Sequence, residues 1–463
     1  MYNKATVREL VPNLKGARVL WRFDGNVPMK KGEDGKNVIT DDTRLKEAMA
    51  DLLFLLEHGA SVTGCTHLGR PKGKGFEEDF SVEPIYEWFA QNLSKHLPNT
   101  KTAYSKDVVG KNVESMVAAM KSGDFGLLEN LRFEKHEKIK TDKETGEVVN
   151  QAEYNEHSKQ LASPFDYYVN SAYGVSHRDD ASLVGVTGHI PSVMGKLPEK
   201  ELKVFGEVMN NPKRPVTVIL GGKKVSEKID VFENLIEQGI ADTILIGGAM
   251  GYTFIKATGG QVGDSFIDGK AEGKEKECLE KCREILEKAK QKGVKIELPI
   301  DTVAGDKFPE GNEKVHRKSF DIKNIPSGWQ GLDIGPETVK KYSGILKNGK
   351  AGTVVWNGPM GVFEHEDFKK GTEEIIKAVI ASGAISIIGG GDTASAVVGM
   401  GYGEDVTFVS TGGGASLYVL EGKILPAMAA LWENGVTIAP PSKRSKNLIN
   451  PAEGKNKGDV NGK

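Results

Sequence analysis

Residues 216–229 read V-T-V-I-L-G-G-K-K-V-S-E-K-I, a short apolar run followed by a glycine pair and then by a stretch that can begin a helix. The same order of features recurs at residues 243–254, 353–364, 385–397 and 406–420. β-Branched runs bounded by glycine are typical of buried parallel strands, and the helices between them act as crossovers. The second half of the chain is therefore predicted to form a parallel α/β sheet.

The glycine turns also predict the kind of ligand. In an open α/β sheet the ligand lies beyond the carboxyl ends of the strands. Glycine there lets a phosphate approach the backbone N–H groups, and the N-terminus of the following helix adds a favourable dipole. Repeated at successive strand ends, such turns indicate a site for a phosphate or a nucleotide.

The first half of the chain repeats this pattern with different side chains at the strand ends. Its predicted strands are residues 17–23, 60–66, 126–128 and 167–170, and its clearest helical stretches are 44–56 and 82–93. The turns after these strands carry Arg and His. Because arginine binds carboxylate or phosphate through two parallel hydrogen bonds, its place at strand ends suggests a ligand with several negative charges.

The fold class predicted from these patterns is α/β, with two doubly wound parallel-sheet (Rossmann-like) domains joined by a hinge helix. The predicted segments are an N-terminal domain 1–196, a hinge helix 197–210, a C-terminal domain 211–425, a segment 426–442 that packs back on the N-terminal domain, and a disordered tail 443–463. Such a layout places two ligands across a cleft that a hinge motion can close. The charged stretch 135–149 lacks apolar periodicity and is predicted to be a surface loop.

Composition excludes several classes of protein. The chain has 463 residues and a formal charge of −2, so no overall basic field favours nucleic acid as a partner. No apolar run approaches the length of a membrane span, and the first ten residues lack a signal-peptide core. Three cysteines without a paired framework fit a reducing compartment, and Cys278 and Cys282 suggest helix packing rather than a metal site. We expect a cytoplasmic protein.

The segment G-G-G-D-T-A at residues 389–394 leaves two kinds of nucleotide site open. It satisfies the dinucleotide fingerprint G-x-G-x-x-[GA], which would indicate a dehydrogenase. The next predicted strand, 406–409, however, ends without the acidic residue that a dinucleotide ribose requires. Asp392 beside a phosphate instead suggests a ligand of nucleotide-bound Mg²⁺, although a helix N-cap is the simpler role for it.

Two further segments offer polar groups to a phosphate. Lys224 and Lys228 are four residues apart and are predicted to share a helix face directed at the glycine turn. Asn357 and Glu364 flank a Gly-Pro turn, where they suit nucleotide phosphates and ribose hydroxyls respectively. Each pattern alone is also compatible with a solvated surface or an ordinary turn.

The chain resembles the phosphoglycerate kinase family through a series of motifs in the family's order. They are R-F-D-G-N-V-P from Arg22, T-D-D-T-R, H-L-G-R-P-K-G, L-L-E-N-L-R-F, S-H-R, G-G-K-K-V-S-E-K-I, G-L-D-I-G-P, V-W-N-G-P-M-G-V-F-E, G-G-G-D-T, and S-T-G-G-G-A-S-L with L-E-G-K to Lys423. They extend over nearly the whole chain. The resemblance implies reversible, Mg²⁺-dependent phosphoryl transfer between 1,3-bisphosphoglycerate and ADP.

The resemblance also implies a role for individual residues. The N-terminal domain would bind 3-phosphoglycerate or 1,3-bisphosphoglycerate through Arg22, Asp24, Asn26, His67, Arg70, Arg132 and Arg178. The C-terminal domain would bind ATP or ADP through Lys224, Lys228, Gly335, Asn357, Glu364, Gly390, Gly391, Asp392 and Thr393, with Asp392 at the metal. Arg44, Lys224, Gly390 and Gly413 would act on the transferred phosphoryl group. Closure about the hinge, which includes Glu201, would exclude water, and a monomer is expected.

The chain departs from the family's pattern at a few places. They are Gly25 where the family has an aromatic residue, Ser171 for an acid, Asp180 for a histidine, Lys223 for an alanine and Ala427 for a glycine. Asp180 close to an anionic substrate is expected to weaken its binding. These departures also leave open a third function, that of a nucleotide-binding protein without turnover.

Overall fold

The computed structural model describes residues 3–33, 35–142, 145–311, 313–348, 351–436, 438 and 440. The chain divides into two compact units. Unit 1 comprises Met1–Lys203 and Ile424–Lys463, and unit 2 comprises Val204–Lys423. The predicted tail 443–463 lies outside the described residues.

Unit 1 is built on a six-stranded parallel sheet. Its strands in chain order are β1 Arg18–Arg22, β2 Met29–Lys31, β3 Asn37–Ile39, β4 Ser61–Cys65, β5 Thr102–Tyr104, β6 Phe125–Leu127, β7 Tyr167–Asn170 and β8 Ser192–Met194. The sheet has the order β5-β6-β4-β1-β7-β8, while β2 and β3 form a separate hairpin. The central position of β1 explains why its apolar residues are buried on both faces.

The helices of unit 1 cover that sheet. They are α1 Thr43–Glu57, α2 Glu83–His96, α3 Lys111–Ala119 and α4 Gln151–Ala162, with 3₁₀ turns at Val7–Asn13, Glu78–Phe80, Leu131–Phe133, Tyr173–Val175 and Gly185–Gly188. Helix α5 Lys196–Asn210 begins in unit 1 and ends in unit 2. In α1 the buried residues Leu45, Ala48, Leu52 and Leu55 recur at spacings of three and four, which places them on one helix face. That face packs into the core of the unit.

Unit 2 contains a second six-stranded parallel sheet. Its strands are β9 Val216–Leu220, β10 Thr243–Ile246, β11 Gln261–Val262, β12 Lys295–Glu297, β13 Asp301–Gly305, β14 Arg317–Asp321, β15 Asn324–Ile325, β16 Gln330–Ile334, β17 Thr353–Asn357, β18 Ile385–Gly389 and β19 Phe408–Val409. The large sheet has the order β12-β10-β9-β17-β18-β19. The five predicted strand-and-glycine segments, which begin at residues 216, 243, 353, 385 and 406, supply five of its six strands. The predicted fold class is confirmed.

A smaller antiparallel sheet in unit 2 was not predicted. It has the order β14-β13-β16. Strand β14 reads R-K-S-F-D and is mostly exposed, so it lacks the apolar alternation by which a half-buried strand is recognised. Strands β11 and β15 form a separate two-stranded parallel sheet.

The remaining helices are α6 Ile229–Glu237, α7 Met250–Ala257, α8 Glu275–Lys292, α9 Pro336–Asn348, α10 Lys370–Ser382, α11 Gly391–Gly399, α12 Gly414–Leu420 and α13 Pro426–Ala429. The division between the units falls inside α5, at Lys203 and Val204. Within the described ranges, no helix combines the length and the hydrophobicity needed to cross a lipid bilayer.

Candidate active site

Three neighbouring strands of unit 1 end together and place polar side chains at one edge of the sheet. Arg22 is in register with Cys65 of β4 on one side and with Asn170 of β7 on the other. The residues that follow these strands, including Asp24 and His67, therefore lie close together. This is the edge at which the ligand of an open α/β sheet is expected.

Arg22 is completely buried at this edge and is held by hydrogen bonds. Its Nε donates to Ser182 Oγ at 3.2 Å, and a terminal nitrogen donates to the carbonyl oxygen of Phe23. Its other terminal nitrogen lies 3.1 Å from His67 Nδ1. Burial and the positive charges of Arg22, Arg178 and Arg44 lower the pKa of His67 well below its usual value, so its ring stays neutral and can accept this hydrogen bond.

Arg44, at the start of α1, is fixed by the loop that follows β1. Its Nη1 donates to Asp24 Oδ2 at 3.0 Å and to the carbonyl oxygen of Asn26 at 3.1 Å. Asn26 in turn accepts the N–H of Gly69 through its side-chain oxygen at 2.8 Å. The structure thus brings Arg44 together with two of the predicted substrate residues. About a third of its side chain remains exposed to solvent.

Arg132 and Arg178 retain donors that none of the described residues accepts. Arg132 donates through Nη1 to the carbonyl oxygen of Gly69 at 2.7 Å, but its Nε has no partner among the described residues. The buried Nη1 of Arg178 likewise has none in the described part of the chain. Since a buried unpaired donor costs free energy, these nitrogens favour an anionic ligand. Arg70 is exposed, and its positive charge acts on Arg178.

Asp180 is buried beside these arginines. Its Oδ2 lies 3.9 Å from Arg132 Nη2. Burial raises the pKa of Asp180, and the nearby charge of Arg178 opposes that shift. A carboxylate in this position would compete with an anionic ligand for Arg132, and the weakened binding expected from the sequence stays a prediction.

Two other departures from the family's pattern are accommodated by packing. A Cβ at Gly25 would lie 2.9 Å from Cε2 of Phe23 and 2.8 Å from Thr66 Oγ1. The ring of Phe23 thus occupies the space beside Gly25. Phe23, two residues earlier in the chain, therefore replaces the aromatic side chain that the family has at position 25. Ser171 is buried and accepts the indole N–H of Trp21 at 2.9 Å.

In unit 2, Lys224 and Lys228 do not share a helix face, and that prediction is wrong. Helix α6 begins only at Ile229, because the preceding residues form an irregular loop after the Gly221-Gly222 turn. Lys224 lies in this loop, partly exposed, with its Nζ 3.8 Å from Glu272 Oε1. Lys228 is buried directly before the helix.

Lys228 and Asn357 are hydrogen-bonded to each other at the carboxyl end of the sheet. The Lys228 ammonium donates to Asn357 Oδ1. Burial lowers the pKa of Lys228 to about 8, opposed by the charges of Glu227, Asp392 and Glu421. The amide nitrogen of Asn357 is buried and has no partner within the described ranges. Gly390, with a φ of 89°, approaches this amide so closely that a Cβ would lie 2.9 Å away.

Helix α11 follows Gly390 and presents its N-terminus at the same edge. Asp392 is exposed in the first turn. Thr393, in contrast, is buried and its hydroxyl accepts the N–H of Gly358 at 2.6 Å, so it stabilises the neighbouring turn. Gly413 precedes the short helix α12, with a φ of 45° that favours glycine.

A cavity of about 460 Å³ opens beside these residues within unit 2. Predicted residues Glu364 and Asp392 line it, together with Gly222 and Gly248. Its walls include the apolar or aromatic side chains of Tyr252, Phe266, Phe308, Leu332 and Val362. Such a mixture of flat apolar surface and a few polar groups suits a nucleobase with its sugar and phosphates.

Gly335 is placed differently from the prediction. It packs against Asp301, whose Oδ2 would lie 2.2 Å from an added Cβ. The glycine of the same motif that lines the cavity is Gly331, which packs against the ring of Tyr252. The motif G-L-D-I-G contains two glycines, and the sequence alone does not show which of them lines the cavity.

Two buried carboxylates near the candidate sites were missed by the sequence analysis. Asp268 accepts the N–H of Ser226 at 2.8 Å, in the loop that carries Lys224 and Lys228. Glu137 lies in the segment predicted to be a surface loop, yet it is 1% exposed. Both stretches are charged and polar, and such composition gave no signal that one carboxylate turns inward.

The described residues do not form a complete metal site by themselves. Among the described residues, no group of three or more His, Cys, Asp or Glu could hold a metal ion. Magnesium commonly binds through one or two carboxylates, with the remaining ligands from water and substrate phosphates. The single exposed carboxylate of Asp392, at a helix N-terminus beside Lys228, fits a metal that arrives with a nucleotide.

Comparison with known proteins identifies relatives over nearly the whole chain. Residues 7–423 match the family model described as phosphoglycerate kinase. A phosphoglycerate kinase from Clostridium tetani is 45% identical over 431 residues, which cover 93% of this chain and 98% of that protein. One from Clostridium botulinum is 44% identical over 433 residues, with 93% and 99% of the two chains covered.

Solved structures give the same result. The phosphoglycerate kinase of Coxiella burnetii superposes with a TM-score of 0.74 at 34% identity, covering 92% of this chain and 98% of that one. The enzyme of Pyrococcus horikoshii has a TM-score of 0.74 at 31% identity, with 93% and 98% covered.

Proposed function

The chain belongs to the phosphoglycerate kinase family, and we propose that unit 1 binds the phosphoglycerate while unit 2 binds the nucleotide. The protein is a kinase that transfers a phosphoryl group between 1,3-bisphosphoglycerate and ADP, giving 3-phosphoglycerate and ATP. The observation that carries the proposal is a matched pair of features. Each unit has, at the carboxyl edge of its sheet, buried donors that no described protein group accepts.

The proposed phosphoglycerate site consists of Arg22, Asp24, Asn26, His67, Arg70, Arg132 and Arg178. The unpartnered nitrogens of Arg132 and Arg178 would bind the phosphate, supported by the charge of Arg22. Asp24 and Asn26 would bind the polar body of the substrate while they hold the loop and Arg44 in place.

The proposed nucleotide site consists of Lys224, Lys228, Asn357, Glu364, Gly390, Gly391, Asp392 and Thr393. Lys228 and the free amide of Asn357 would bind phosphate oxygens, and Glu364 would accept a ribose hydroxyl. Gly335 was also predicted here, but we propose Gly331 for the contact with the base. Thr393 would act through its backbone, since its hydroxyl is already occupied.

Asp392 would hold Mg²⁺ together with the nucleotide phosphates. When bound, the ion neutralises phosphate charge as it develops during transfer. Arg44, Lys224 and the backbone N–H groups at Gly390 and Gly413 would stabilise charge on the equatorial oxygens of the moving group. No covalent intermediate with the protein is required, because such transfer depends mainly on alignment and electrostatic stabilisation.

We also propose that the enzyme acts as a monomer in the cytoplasm, with closure about residues 197–210 during turnover. These statements rest on the family and on the composition of the chain. The three cysteines are free thiols in the structure.

Steady-state kinetics with 3-phosphoglycerate, ATP and Mg²⁺, coupled to NADH oxidation by glyceraldehyde-3-phosphate dehydrogenase, tests the assignment of the two sites. We expect Arg178→Ala to raise the KM for 3-phosphoglycerate about tenfold or more, because a charged hydrogen bond is lost. The same variant should leave the KM for ATP within a factor of two. An increase in both constants, or in that for ATP alone, contradicts the assignment.

A further inference from the structure

Glu137 is a buried carboxyl group in a segment whose other described residues are largely exposed. Its Oε1 accepts the hydroxyl of Ser182 at 2.6 Å, and its Oε2 accepts the Ser182 N–H at 3.2 Å. Its carbonyl oxygen accepts the N–H of Ala181 at 2.7 Å. Three hydrogen bonds thus fasten this loop to the segment after β7.

Ser182 connects Glu137 to the proposed phosphoglycerate site. Its Oγ accepts Nε–H of Arg22 at 3.2 Å, and Arg22 in turn lies 3.1 Å from His67 Nδ1. The path Glu137–Ser182–Arg22–His67 is continuous, and none of its four members is more than 2% exposed. A buried network with every link made holds its members in one geometry.

The charges around Glu137 come from every element packed against it. Burial, and next the carboxyl group of Asp180, raise the pKa of Glu137 to about 8, while Arg22 opposes the shift. From α4, His157 Nε2 lies 3.9 Å from Oε2, and burial lowers the pKa of that histidine to about 4. Other titratable groups near Glu137 are Tyr154 on α4, Tyr168 on β7 and Cys65 on β4, and His136 and Lys138 flank it in the loop itself.

We propose that Glu137 is a positioning residue for phosphoglycerate binding, which fixes the guanidinium of Arg22 through Ser182 and, beyond it, the ring of His67. This inference rests on the proposed assignment of Arg22 and His67 to the substrate. A neutral Glu137 leaves the charge of Arg22 available to the substrate. When Glu137 ionises, its negative charge offsets that of Arg22 from behind and weakens the attraction for an anion.

The test is the KM for 3-phosphoglycerate and for ATP between pH 6.5 and 9.5, measured on the full chain. Glu137→Ala removes the acceptor of Ser182 and is expected to raise the KM for 3-phosphoglycerate about tenfold, with the KM for ATP unchanged. Glu137→Gln keeps an oxygen acceptor but cannot ionise. It is therefore expected to stay within about threefold of the parent at pH 7 and to lack the increase in KM that we expect of the parent above pH 8.

Three further variants make the outcome specific. Glu147→Gln changes an exposed carboxylate of the same segment and should alter neither constant. If Glu137→Ala fails to fold, Ser182→Ala breaks the same path at its second member and should raise the KM for 3-phosphoglycerate alone. The inference is overturned if Arg178→Ala raises this KM but Glu137→Ala, or Ser182→Ala in its place, does not, or if Glu137→Gln keeps the parent's pH profile. If Arg178→Ala also leaves this KM unchanged, the proposed phosphoglycerate site itself is wrong, and that result is distinct from a failure of the Glu137 inference alone.

Discussion

At the scale of single residues, two lysines of one loop differ in what they can do. Lys224 is partly exposed and lies between Glu227 and Glu272 at about salt-bridge distance. Lys228 is buried, and burial lowers its pKa to about 8. Desolvation makes its charge sensitive to pH and at the same time strengthens its interaction with a phosphate. The buried lysine is therefore the one whose protonation should be visible in kinetics.

We predict that nucleotide affinity falls as the pH rises through about 8. Below that pH Lys228 is an ammonium that attracts phosphate, and above it the uncharged amine does not. The KM for ATP should increase above pH 8, and Lys228→Met should raise it about tenfold at pH 7 and abolish the increase. Lys281→Met, which changes a partly exposed lysine on α8, serves as the control. A Lys228→Met enzyme that retains the parent's pH profile would contradict the prediction.

Residues of the site that follow strands were predictable, and those that support them were not. Arg22, His67 and Asn357 lie at or directly after strand ends, so hydrophobic patterning alone located them at the ligand edge. Glu137 and Asp268 lie in polar loops, and their burial depends on how distant segments pack. No local pattern distinguishes a carboxylate that turns inward from one that stays in solvent.

At the scale of elements, the loop between β9 and α6 is held by the segment that follows β11. Asp268 is buried and accepts the N–H of Ser226, while its own N–H donates to Thr253 Oγ1 at 3.1 Å. The ammonium of Lys223 lies 4.8 Å from the ring centre of Phe266, which also lines the cavity. The same segment therefore contacts both the cavity wall and the loop that carries Lys224 and Lys228.

We predict that Asp268→Ala loosens this loop and lowers kcat/KM for ATP about tenfold, since the backbone N–H of Ser226 loses the buried carboxylate that accepts it. Asp268→Asn keeps an oxygen acceptor and should restore most of the activity. Glu272→Gln is the matched control, because the ion pair it removes is partly exposed and such pairs contribute little. Thermal unfolding of the variants separates loss of the loop from loss of the fold. Equal activity of the Ala and Asn variants would argue against a role as hydrogen-bond acceptor.

Elements with regular apolar periods were predicted well, and those without them were not. Five of the six strands of unit 2's large sheet follow from β-branched runs, and helix α1 follows from a spacing of three and four. Strand β14 is too exposed and too charged to be recognised. The helix expected at Lys224 is absent for a different reason, because residues 223–228 form a loop after the glycine turn and α6 begins at Ile229.

At the scale of the whole molecule, unit 1 is made from both ends of the chain. Lys4 donates through Nζ to the carbonyl oxygens of Ala429 and Leu431, at 2.6 and 2.8 Å. The N–H of Ala5 donates to the carbonyl oxygen of Trp432, whose own N–H donates to Ser192. Trp432 is 5% exposed and belongs to the core of this unit. Residues far apart in sequence therefore complete one core, while unit 2 is continuous.

This arrangement predicts that damage near the carboxyl end of the chain affects the phosphoglycerate site rather than the nucleotide site. Trp432→Ala removes a large core side chain of unit 1 and should destabilise that unit by about 3–5 kcal/mol. Ile424→Ala, at an exposed position of the same terminal segment, should have little effect. Urea unfolding monitored by circular dichroism measures both changes. Calorimetric titration of each variant with 3-phosphoglycerate and with Mg-ADP then shows which site is affected. If Trp432→Ala weakened Mg-ADP binding as strongly as 3-phosphoglycerate binding, the two units would not fold as separate cores.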